Sequence, residues 1–140
     1  MNPIPWPIDP TIQVANYRNL SPSLPGVIDV RCDRSSPLGN PFVMRNETER
    51  EAVVKAHKVY LWTLWKEQGI PPDIRTYGAQ KGLLTQHTWE PTMATHAYRV
   101  LQNLVNGFRQ GNSYRLIDWC HPLPCHTDNI AALIQWACKP

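Results

Sequence analysis

"YRLIDWCHPLPCHTDNIAALI", residues 114–134, passes from one structural period to another. "YRLIDW" carries Leu116 and Ile117 in a short apolar run and reads as a buried strand. From about Thr127, Ile130, Leu133, Ile134 and Ala137 recur at helical spacing, so a helix follows. Between them Pro122 and Pro124 fix two φ angles and remove two donors, which makes the join a stiff turn. Buried strands alternating with helices build parallel or mostly parallel sheets, so the expected class is α/β.

The same alternation runs upstream. "TIQVANYR" reads as a short strand, and "VIDV" as a buried one ending at Arg31. Asn46 opens a helix with Glu49 three residues later, the spacing of a capping box. Ala52, Val53, Ala56, Val59, Tyr60 and Leu64 carry its apolar face through about Gln68, and Gly69 stops it. A second helix runs from Thr92 to near Gly111, with Ala97, Val100, Leu101, Leu104, Val105 and Phe108 on one side. The stretch between them, about 70–92, is long for a loop in a compact domain. It hides a short helix or strand, or it forms a lid.

With 140 residues the chain suits one domain with a real core. The expected organisation is an extended proline-rich arm and first strand over 1–26, then a single domain over 27–140 with an insertion at about 70–92. Trp6, in the arm, fits the core pattern least. The net charge of +3 is scattered, so nucleic-acid binding is permitted but not indicated. No apolar run is long enough to span a bilayer, so no membrane partner is expected. The opening "MNPIPWPIDP" has neither the charged nor the apolar region of a secretory leader, and a cytoplasmic location is the expectation. In that compartment the four cysteines are expected free, reactive or metal-bound rather than paired.

Two segments carry chemistry. In "DWCHPLPCHTD", Cys120, His121, Cys125 and His126 fall within seven residues. Zinc would need four ligands at conventional spacing, and no second pair exists, so no metal and no other cofactor is expected. A reactive thiol is the second reading. Cys125 stands just before a helix, where the partial positive charge lowers a thiol pKa, with His126 beside it as acid/base partner. The same amides suit an anion equally. The third reading is packing, with cysteine as a small hydrophobe. The other segment is "RCDRSSPLGNPF". Arg31 and Arg34 are donors for an anion, Gly39 permits close backbone approach, and Asn40 offers an amide donor and acceptor. A plain tight loop with surface arginines explains it as well.

The two segments together resemble the bacterial and phage family known as domain of unknown function 4326, from about Val27 to Ile134. The likeness rests on Leu38, Gly39, Asn40, Pro41 and Phe42, on Arg50 and Glu51, and on Cys120, Pro122, Cys125 and His126. Asp128 falls on a commonly acidic position, and Asp118 stands where relatives often have a first cysteine. The resemblance implies a small Rossmann-like, three-layer domain and supplies no reaction. Its occurrence in phages and mobile elements implies nucleotide metabolism or host conflict.

The expectation is therefore a site beyond the carboxyl ends of the strands, where open α/β sheets bind ligands. There Arg31, Arg34, Gly39, Asn40, Cys120 and Asp128 would meet a nucleotide-like phosphorylated molecule, with Cys125 and His126 as the catalytic pair of any enzyme. The alternative is a non-enzymatic module that docks a protein partner through the same rigid turns.

Overall fold

The structure, a computed structural model, describes residues 9–139. Most of the expected proline-rich arm, Trp6 included, lies outside the described residues. Three strands form a parallel sheet: β1 (Ile12–Asn16), β2 (Val27–Arg31) and β5 (Ser113–Asp118). The order is β1-β5-β2, so the last strand in sequence is the central one. Register pairs Val14 with Leu116 on one side, and Val30 with Leu116 on the other. β5 is buried on both sides, which is why it reads as a continuous apolar run rather than an alternating one.

The α/β class is as expected, and four helices accompany the sheet. They are α1 (Arg50–Lys66), α2 (Ile74–Gln80), α3 (Pro91–Arg109) and α4 (His126–Ala137). α4 packs on β1 and β5, and α1 and α3 pack on α4. The core between them holds Leu61, Leu101, Val105, Tyr114, Leu116, Ile130, Leu133 and Ile134. Each such side chain contributes about 1.5–3 kcal/mol on burial. The opposite face of β5 presents Arg115, whose guanidinium grips the Asp29 carboxylate at 2.7 and 2.9 Å and donates to Ser21. Loop residues Ser21 and Pro22 meet that face through this arginine.

Asn46 does cap, but it caps a short 3-10 turn at Glu47–Glu49 that feeds α1. Its Oδ1 accepts from the Thr48 N–H, while Glu49 turns back to the Arg45 N–H instead of that of Asn46. Gly69, with φ +88°, ends the helix by donating to the Leu64 carbonyl, where a residue with a Cβ would be strained. Within α1, His57 and Leu61 lie on the buried face and Ala52 and Val59 are exposed, a reversal of the expectation for both.

Segment 70–92 is not a bare loop. It contains α2 and the short strand β4 (Leu84–Thr85), which pairs antiparallel with β3 (Phe42–Val43). Phe42, Ile74 and Leu83 from these pieces join Val53, Ala56, Leu64, Ala94 and Ala97 in a second core. That core presses the "LGNPF" segment against α1.

Candidate functional site

β5 lies between β1 and β2, so the three carboxyl ends form one edge with a crevice above the central strand. Two of the loops that leave this edge face each other, one from Cys32 after β2 and one from Trp119 after β5. Between them lies a cleft of about 270 Å³. Its polar lining comes from Asp33, Arg34, Asn40, Arg50, Cys120, Cys125 and His126, and its apolar wall from Met44, Val53, Val54, Trp119 and Pro124.

The turn after β5 is held from two sides. Asp118 Oδ1 accepts from the Cys120 and His121 N–H groups at 3.1 and 2.9 Å. Asn16, at the end of β1, donates its amide to the Trp119 and His121 carbonyls. Arg50, at the start of α1, donates to the Pro124 carbonyl at 3.0 Å while gripping Glu47 through two hydrogen bonds. Asp118 Oδ2 is buried and meets no hydrogen-bond partner among the described residues.

Cys125 is the N-cap of α4, in a capping box with Asp128 at the third position. The Asp128 carboxylate accepts the Cys125 N–H at 3.1 Å, so Asp128 holds the helix start and does not line the cleft. His126 Nε2 donates to the Cys32 carbonyl, which leaves Nδ1 as the acceptor of the neutral ring, 3.2 Å from Cys125 Sγ. Burial pushes the His126 pKa down. His57 lies edge-on against it with ring centroids 5.2 Å apart, and burial pushes this histidine further down.

The sulfurs divide unequally. Cys120 is lowered to about 7, chiefly by the neighbouring Cys125 and then by the Arg50 guanidinium, against the opposing effect of burial. Cys125 is pushed up, first by that same contact with Cys120 and then by burial. Cys32 is raised to about 12, chiefly by burial. The direction of both shifts favours Cys120 over the Cys125 of the sequence expectation as the more acidic thiol. The helix start offers Cys125 some positive potential, but the guanidinium stands beside Cys120.

Of the other expected site residues, Arg34 lines the cleft and forms no ion pair among the described residues. Arg31 does not line it. Its guanidinium is engaged by Tyr17, Asp33 and Ser35. Asn40 is 5% exposed, and its amide is largely committed to the fold. Oδ1 accepts from the Phe42 N–H at 3.0 Å, and Nδ2 reaches the Val53 carbonyl at 3.5 Å. Gly39 lies in an adjoining hollow of about 370 Å³ that shares Arg34 and Asn40 with the cleft and adds Tyr60, Gln86 and Trp89. Residue-by-residue reading missed Arg50, Asp118 and Asn16 as site builders. Arg50 carried one signal, its place in the family pattern. Among the described residues no group of three or more His, Cys, Asp or Glu is placed to hold a metal ion. Among the described residues no helix is long and apolar enough to cross a membrane.

These features define an α/β domain with a polar, thiol-bearing cleft at the carboxyl edge of a parallel sheet. The chain belongs to the family described as domain of unknown function (DUF4326), whose model matches residues 18–136. No curated protein and no solved structure matches the chain.

Proposed function

We propose that the chain is a Rossmann-like domain that binds a nucleotide or similar phosphorylated ligand across the cleft and the adjoining hollow. The observation that carries this reading is Arg34, a guanidinium without an ion pair among the described residues, standing where the two spaces meet. Anionic groups are the natural partners of such a fork of donors. The position is the crevice where open parallel sheets collect ligands. The two spaces, about 270 and 370 Å³, together lie well inside the usual range of ligand sites. Trp89 and Tyr60 offer the second space aromatic surface for a planar group.

The test is calorimetric titration with nucleoside mono-, di- and triphosphates, the matching unphosphorylated nucleosides, and inorganic phosphate. Wild-type protein should bind at least one phosphorylated nucleoside and bind its nucleoside far more weakly. Arg34→Ala should lose about tenfold or more in affinity with unchanged thermal stability, since a charge-assisted hydrogen bond contributes about 1.5–3 kcal/mol. No binding across the panel, or equal binding by the variant, overturns the reading. Chromatography of the same mixtures reports whether the bound nucleotide is also consumed.

A further inference from the structure

We propose that Cys120 and Cys125 are a redox-active dithiol that exchanges with low-molecular-weight disulfides, Cys120 attacking from the cleft and Cys125 resolving from beneath it. This chemistry stands apart from the phosphorylated ligand and needs none bound.

Three observations place the pair. Both residues line the same cleft, at the two ends of the "CHPLPC" turn. That turn closes on itself, with the Leu123 N–H donating to the Cys120 carbonyl at 2.9 Å. Their accessibility differs. Cys120 is part-exposed, whereas Cys125 is only 2% exposed, so a reagent entering the cleft meets Cys120 first. The surroundings also differ. Cys120 has the Arg50 guanidinium, which is itself held in place by Glu47 and the Pro124 carbonyl. Cys125 has His126 Nδ1 at 3.2 Å.

The exchange balances in two steps. The Cys120 thiolate forms a bond to one sulfur of the small disulfide, whose S–S bond breaks and expels a thiolate. Cys125 then attacks the Cys120 sulfur. His126 Nδ1 takes the Cys125 proton and passes it to the second departing thiolate. The two cysteines lose two electrons and end as an internal disulfide, and the small disulfide gains them and ends as one thiolate and one thiol, the thiolate taking from solvent the proton that Cys120 had released. Cys125 Sγ faces His126 Nδ1 at 3.2 Å, which directs its proton the way the second step requires.

The experiment treats reduced full-length protein with oxidised glutathione near neutral pH, quenches with acid, and maps adducts by mass spectrometry. Wild type should lose two hydrogens between Cys120 and Cys125 and retain no glutathione. Cys125→Ser should hold one glutathione on Cys120. Cys120→Ser should react about tenfold more slowly or worse, because the remaining thiols are mostly protonated. The rate of the first step should rise with pH and level off below the ordinary thiol value of 9.0, the direction in which Cys120 is shifted. A lasting adduct on Cys120 in the wild type overturns the resolving role. First reaction at Cys138 or Cys32, or no reaction at all, overturns the proposal. The wild-type map alone decides between these outcomes should either variant fold poorly. Loss of nucleotide binding with exchange intact, or the reverse, separates this proposal from the binding reading.

Discussion

A Cβ at Gly39 would lie 2.7 Å from both the Arg34 Cα and the Asp33 carbonyl oxygen. Those atoms are backbone and cannot swing aside, so the loop after β2 closes only because residue 39 has no side chain. Gly39→Ala should therefore cost about 1–3 kcal/mol, the usual range for overpacking, and should weaken nucleotide binding as well, because the displaced backbone carries Arg34. Chemical denaturation and the calorimetric panel measure the two effects. An unchanged midpoint would show that the loop has slack. Close approach at Gly39 is legible in "SPLGNPF", but the choice between Arg31 and Arg34 is not legible from side-chain chemistry. It follows from strand parity. Val30 faces the core, so Arg31 alternates to the Asp29 face and meets Tyr17. Arg34, three residues beyond the strand, returns to the crevice.

At the scale of elements, α3 shows propensity and packing in opposition. Gly107 lies inside a long helix, where alanine is ordinarily better by about 1 kcal/mol. The Tyr114 hydroxyl from β5 rests directly on this glycine, within van der Waals overlap of where a Cβ would stand. Tyr114 is 4% exposed and walled by the core, so it has nowhere to retreat. Packing wins, and Gly107→Ala should destabilise by about 1–3 kcal/mol rather than stabilise. Thermal melts of that variant give the sign directly, and a raised Tm would show that Tyr114 yields. The long helices and the three sheet strands were legible because their apolar periods extend over several turns or neighbour turn residues. β3 and β4 are two residues each, too short for any period to register. α2, seven residues beginning at the Asp73 cap, is nearly as short.

The whole molecule carries two buried neutral histidines in contact, His57 and His126. Burial holds both below the ordinary value of 6.5. In the unfolded chain they take up protons once the pH falls below about 6.5, whereas the folded chain resists until the lowered values are reached. The unfolded state therefore binds more protons across that interval, and stability falls as the pH drops through it. Melting temperature should decline below pH 6.5, before most carboxylates titrate. His57→Gln, which can still offer an acceptor to the Asn129 amide now 3.1 Å from Nδ1, should flatten the decline between pH 5 and 6.5. An identical slope in the variant would assign the acid sensitivity elsewhere.

By itself the sequence determined the α/β class, the three sheet strands, three of the helices and the two chemically loaded turns. Each of these rests on local periodicity or on residues adjacent in the chain, and such signals survive without knowledge of the rest. Only the tertiary structure decided that a guanidinium from α1 shares the cleft with the thiols. Cys125 has the helix start and the neighbouring histidine, both visible in sequence, while Cys120 has Arg50, seventy residues away in the chain and brought alongside by α1 packing on α4. The same holds for Asn16, which reaches the Trp119 and His121 carbonyls because β1 lies beside β5 in the sheet. Electrostatic and hydrogen-bond effects act over a few ångströms of space, and no spacing rule along the chain encodes which distant residue will fill them.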